Sequence, residues 1–93
     1  MNPQCIYLDN NATTAPLPEV SIAVQTAMQT LWGSPSSIHR VGQEARHQVD
    51  LAREAVAALV HATPAEITFT SGGTESANLA IQTARKANPD RNV

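Results

Sequence analysis

Thr68-Phe69-Thr70-Ser71-Gly72-Gly73-Thr74-Glu75-Ser76 carries the reading of this chain. Ile67-Thr68-Phe69-Thr70 alternates apolar and polar residues with β-branched side chains, the pattern of a strand. Ser71-Gly72-Gly73 then turns the chain. Ala77, Ala80, Ile81 and Ala84 mark one face of a helix, with Glu75 in its first turn and Arg85 and Lys86 in its last. Those charges suit the helix dipole, and Asn88-Pro89 stops the helix. A strand, a glycine-rich turn and a helix start leave backbone N–H groups free at the positive end of a dipole, which suits a bound phosphate. Thr74 and Ser76 add hydroxyls, whereas the charge of Glu75 opposes a dianion. Gly-Lys-Ser/Thr and Gly-x-Gly-x-x-Gly are both absent, so neither nucleotide fingerprint applies. Read from these residues alone, a plain turn and a phosphate cradle fit equally well.

Upstream, Ala45, Val49, Ala52, Val56 and Leu59 repeat at spacings of four and three, which predicts a helix over Val41 to His61. Thr63-Pro64-Ala65-Glu66 has the form of a capping box around a single turn. Val20, Ala23, Val24, Ala27, Met28 and Leu31 predict another helix from Pro18 to Trp32, with proline in its first turn. Between the two helices, Gly33-Ser34-Pro35-Ser36-Ser37 reads as a loop rich in hydroxyls. Ile6-Tyr7-Leu8 predicts a short strand running into the turn-forming Asp9-Asn10-Asn11. No repeat or linker divides residues 1–93, which read as a single segment. Arg91-Asn92-Val93 stands where a further strand would begin, which points to a part of something larger.

Composition agrees with that. The chain has 93 residues, 42% of them apolar, but alanine supplies fifteen and Tyr7, Trp32 and Phe69 are the only aromatics. A core of small side chains barely offsets an ordering cost on the order of 1.5 kcal/mol per residue. The net charge is −2 and the basic residues are scattered, so nothing recruits nucleic acid or an anionic membrane. No apolar run is long enough for a membrane span, and Met1-Asn2-Pro3-Gln4-Cys5 does not open a signal peptide. The single cysteine, Cys5, forms no internal disulfide and reads as a small buried hydrophobe, with a reducing cytoplasm as the compartment. His39, His47 and His61 are too far apart for a local metal pair. His39 lies in a polar loop open to a ligand or to solvent, and His47 and His61 read as helix-surface residues.

Three stretches then point one way: Tyr7-Leu8-Asp9-Asn10-Asn11-Ala12-Thr13-Thr14, Ser34-Pro35-Ser36-Ser37-Ile38-His39-Arg40-Val41-Gly42, and Phe69 through Ile81. In order and spacing they resemble the N-terminal part of the cysteine desulfurases, pyridoxal-phosphate enzymes of the class V aminotransferase group. The resemblance runs from Ile6 onward. It implies an α/β protein of fold type I, here a mostly helical N-terminal fragment with one strand at 67–70 and a short one at 6–8. It further implies that Gly73 and Thr74 bind the cofactor phosphate, that the Asn11 and Thr13 segment lies near the active site, and that the parent works as a homodimer. The implied parent reaction converts L-cysteine to L-alanine, leaves the sulfur on an enzyme cysteine as a persulfide, and passes it to an acceptor protein in iron–sulfur or thiolation pathways. Ala15 and Leu17 depart from the family's usual Pro and Asp, and Leu17 removes a helix N-cap. Ser34 and Ala77 also depart from the usual Asn and polar residue, and these changes bear on substrate class.

The lysine that holds the cofactor, the aspartate on its pyridinium nitrogen, the stacking ring, the arginine for the substrate carboxylate and the nucleophilic cysteine would all lie beyond the matched region. Lys86, the only lysine, follows Thr74 by twelve positions, about 18 Å along a helix. Cys5 precedes the first strand and does not match the catalytic cysteine. No catalytic residue is therefore assigned within the 93 residues, and the isolated chain is expected to be inactive. Another class V aminotransferase or lyase, and a non-catalytic truncated interaction module, are the alternative readings.

Overall fold

The computed structural model describes residues 4–91. Three α-helices and one 3₁₀ turn follow one another: α1 (Pro18–Thr30), α2 (Arg40–Leu59), the turn Pro64–Glu66, and α3 (Gly73–Ala87). Two compact units share the chain, one reaching to Val49 and one starting at Asp50, so that the division falls within α2. Asn92 and Val93, where a further strand was expected, and Met1 to Pro3 lie outside the described residues.

In the first unit, Pro18 opens α1 at a position where a missing N–H costs nothing. Its N-cap, Leu17, is extended at φ −62° and ψ 148° and has no side-chain acceptor to offer. The Leu17 carbonyl accepts from Val20 N–H at 3.0 Å and Ser21 N–H at 3.1 Å. Leu17→Asp should therefore stabilise the protein by about 1 kcal/mol, since the new carboxylate caps the helix and meets its positive end. Urea denaturation of the full-length protein checks this: a higher midpoint at unchanged slope is expected, and an unchanged or lower midpoint contradicts it. α1 stops at Thr30 rather than Trp32, because Leu31 leaves the helix at φ −119° and ψ 32°. The chain must turn there to bring Gly33 against Val41, whose carbonyl oxygen lies 3.0 Å from where a Gly33 Cβ would sit.

Tyr7 organises the segment before α1. Its hydroxyl donates to the Asp9 carbonyl at 2.9 Å, with the Thr13 carbonyl at 3.3 Å, and Ala12 N–H closes the turn onto Asp9 at 3.1 Å. Residues 6–8 pair with no other strand among the described residues, so the expected short strand does not form. Cys5 is exposed, not the buried hydrophobe expected, because the segment around it, including Ile6 and Leu8, stays at the surface.

α2 begins on an unexpected cap. His39, read as a loop residue, immediately precedes the helix, and its Nδ1 accepts from Gly42 N–H at 3.2 Å. The Gln43 side chain donates to the Ile38 carbonyl at 2.8 Å, closing the same corner. At its other end, in the second unit, the helix finishes at Leu59 instead of His61. His61 has a left-handed φ of 56°, its N–H reaches Ala58 O at 3.3 Å, and Ala62 N–H reaches Ala57 O at 2.9 Å. That is a Schellman ending, which glycine ordinarily supplies and which histidine adopts here at some backbone cost. The expected turn at Thr63 follows. Glu66 accepts from the Thr63 N–H at 2.8 Å and from its hydroxyl at 2.9 Å.

Ile67 is extended at φ −100° and ψ 125°, but residues 67–70 join no ladder among the described residues. A strand requires a neighbour to take its N–H and C=O groups; here the Ile67 carbonyl is taken by a side chain instead. Buried apolar side chains among the described residues are Ala45 in the first unit and Ala57 in the second. Larger ones such as Ile22, Met28, Leu59 and Ile81 remain exposed. At about 0.8 kcal/mol per buried CH₂, two alanines make the thin core that the composition foretold.

Candidate functional site: the N-terminus of α3

Gly72 is the N-cap of α3, extended at φ 165° and ψ −178°, a conformation open to any residue. Ser76 N–H makes the first helical bond, to the Gly72 carbonyl at 3.1 Å. The N–H groups of Gly73, Thr74 and Glu75 consequently have no acceptor among the described residues, as helix geometry requires. The turn before them is held from within. Thr70 and Ser76 share a hydroxyl hydrogen bond at 2.6 Å, and the Thr70 hydroxyl also lies 3.2 Å from the Gly72 carbonyl.

Glu75 reaches back instead of forward. Its Oε2 accepts from the Ser71 N–H at 3.0 Å and from the Ser71 hydroxyl. These two bonds, the hydroxyl's first, hold the carboxyl below the usual glutamate range. Glu66 is lowered in the same way, first by the Thr63 N–H and then by its hydroxyl. A folded-state pKa below the unfolded one stabilises the protein fully above the ordinary glutamate value, about 4.3, and loses that contribution as pH falls through the lower folded value. Thermal unfolding of the full-length protein should thus weaken below about pH 4, and Glu75→Gln should make that acid loss smaller. An identical acid profile in the variant would contradict the role of Glu75.

Neither Gly72 nor Gly73 is demanded by the fold. A Cβ built on either would meet no heavy atom within 4 Å, and no glycine among the described residues has a positive φ of the left-handed kind. The space beside the two α-carbons is open. Donors without acceptors, a positive dipole end, the Thr74 hydroxyl and a glycine surface that admits close approach together fit a phosphate group. Glu75, whose charge opposes an anion, is engaged with Ser71.

Gly73 and Thr74 are therefore adjacent at one helix start, where the sequence put them. Asn11 and Thr13 lie in the other unit, both exposed in the Tyr7 turn. Lys86 sits on the last turn of α3, the helix whose first residues are Gly73 and Thr74. Local pattern holds no sign of Arg53, whose guanidinium reaches the segment leading into this turn. That contact spans 14 positions and leaves no mark on local periodicity.

The chain belongs to the aminotransferase class-V family, which it matches over residues 6–93. It is 49% identical over 86 residues to a cysteine desulfurase of Trichormus azollae, covering 92% of this chain and 22% of that protein. It is also 48% identical over 79 residues to a selenocysteine lyase of Xenopus tropicalis, covering 85% of this chain and 18% of the relative. A human selenocysteine lyase is 46% identical over 81 residues, 87% of this chain and 18% of that protein. The chain thus spans about a fifth of the length of these relatives. No solved structure matches it.

Proposed function

We propose that these residues are the N-terminal part of a pyridoxal-phosphate-dependent cysteine desulfurase of fold type I, with α3 presenting the N–H groups of Gly73 and Thr74 to the cofactor phosphate. The observation that carries this is the open, acceptor-free start of α3 at the Gly73-Thr74 pair of a class V chain. Support for the substrate comes from relatives named cysteine desulfurase at 49% identity over most of the chain.

The α3 dipole and its free N–H groups hold the phosphate dianion, and the Thr74 hydroxyl adds a donor. Glu75, bonded to Ser71, keeps its charge in the turn and leaves those N–H groups available. Pyridoxal phosphate, when bound, supplies the electron sink that makes the α-carbon proton of an amino acid labile. The overall reaction converts L-cysteine to L-alanine and leaves the sulfur as a persulfide on an enzyme cysteine, for delivery to an acceptor protein. The lysine and the thiol this requires lie elsewhere in the full-length protein. Lys86 stands about 18 Å along α3 from Thr74, and Cys5 is not the nucleophile. A homodimer in a reducing cytoplasm, serving iron–sulfur assembly or thiolation, completes the proposal.

A second reading, selenocysteine lyase, is favoured by relatives of that name at 46–48% identity. Incubating the full-length protein with L-cysteine or L-selenocysteine and measuring alanine decides between them. Alanine from cysteine with persulfide on the protein is expected, and no alanine from the isolated 93 residues. Alanine from selenocysteine only would favour the second reading, and alanine from neither would overturn both.

A further inference from the structure

Arg53 lies half-buried on α2, in the unit that contains α3. Its guanidinium donates to the Ile67 carbonyl at 2.6 Å and lies over the Phe69 ring, 4.9 Å from the centroid. Both contacts fall on the segment that runs into Ser71-Gly72-Gly73. The other side-chain hydrogen bonds of this turn, Thr70 to Ser76, Thr70 to Gly72 and Ser71 to Glu75, span six positions or fewer. They fix the shape of the turn but not its attitude to the rest of the unit. Arg53 supplies the longer tie, from α2 across 14 positions to a segment that has no sheet partner among the described residues. A planar guanidinium can donate in its plane while its face rests on an aromatic ring, so one side chain fixes both a carbonyl and a ring.

We infer that Arg53 is a positioning residue for the phosphate cradle, acting through Ile67 and Phe69 to set where the free N–H groups of Gly73 and Thr74 point. This rests on the phosphate reading given above. A positioning role acts on the phosphate and not on the rest of the cofactor, which separates it from a general contribution to folding.

The test uses the full-length protein freed of cofactor and titrated with pyridoxal 5′-phosphate and, separately, with pyridoxal, which lacks the phosphate. The dissociation constant of pyridoxal divided by that of pyridoxal 5′-phosphate, followed by absorbance, is a ratio that measures phosphate discrimination independently of turnover. Arg53→Ala should lower that ratio about tenfold or more by weakening the phosphorylated form alone, as a displaced binding group does. Equal weakening of both ligands, or no change in either, would overturn the inference. Phe69→Leu removes the ring and keeps the Ile67 hydrogen bond, so it serves if Arg53→Ala does not fold. It should lower the ratio in the same direction by a smaller factor, and an unchanged ratio counts against the inference. If the unsubstituted protein does not discriminate between the two ligands, the phosphate reading itself fails and Arg53 falls with it. Discrimination that survives Arg53→Ala removes only Arg53.

Discussion

Gly42→Ala should destabilise the full-length protein by about 1–3 kcal/mol, the range for forcing an extra methyl into a filled space. Gly42 is buried in the first turn of α2. A Cβ there would meet the carbonyl oxygen of Ser37, lie 2.6 Å from the Ser37 Cβ, and lie 2.7 Å from the Ser34 carbonyl oxygen. Two of these obstacles are backbone atoms of a turn closed by the Ser37 N–H to Ser34 O bond at 3.0 Å, so neither can swing aside as a long side chain would. Any shift that relieves them also pulls Gly42 N–H from the His39 ring that caps the helix. Alanine's better helix propensity returns at most about 1 kcal/mol. Chemical denaturation measures the outcome, and a variant as stable as the parent would mean that the Ser34–Ser37 turn does not sit where described.

Gly73→Ala should do the reverse. A Cβ at Gly73 meets nothing within 4 Å, and alanine suits a helix better, so stability should hold or rise slightly. The methyl would instead stand in the space through which a phosphate approaches the N–H groups of Gly73 and Thr74. Loss of one or two charge-assisted hydrogen bonds, at about 1.5–3 kcal/mol, corresponds to about a 10–100-fold weaker affinity for pyridoxal phosphate. Fluorescence titration of the cofactor-free, full-length protein checks this. Unchanged affinity in a well-folded variant would remove Gly73 from the phosphate site.

The two glycines divide what could be read from sequence. Gly73 was legible because it sits in a local pattern: a turn, a helix start and a hydroxyl residue within a few positions. Gly42 was not, because the obstacle that requires it is a fold of the chain back from Ser34 to Ser37. α1 and α2 were found within two residues at each end, since proline and apolar spacing act locally. Their last turns were overextended, at Leu31 and at His61, where departing backbone angles stop the helix before the apolar pattern does. The residue buried toward the end of α2 is Ala57, off the expected Val56 and Leu59 face, because large apolar residues dominate a spacing pattern while, among the described residues of this unit, the buried apolar side chain is an alanine. Arg53 and the His39 cap were invisible for the same reason as Gly42: each is a contact rather than a composition. The strand at 67–70 has the right residues and an extended backbone at Ile67, but a ladder belongs to a pair of segments, and local sequence describes only one.

The most direct measurement is a crystal structure of the full-length protein with pyridoxal phosphate. Phosphate oxygens within hydrogen-bond distance of the Gly73 and Thr74 N–H groups at the start of α3 are the expected result. A cofactor whose phosphate is held by other residues, with those N–H groups facing solvent, would contradict the assignment.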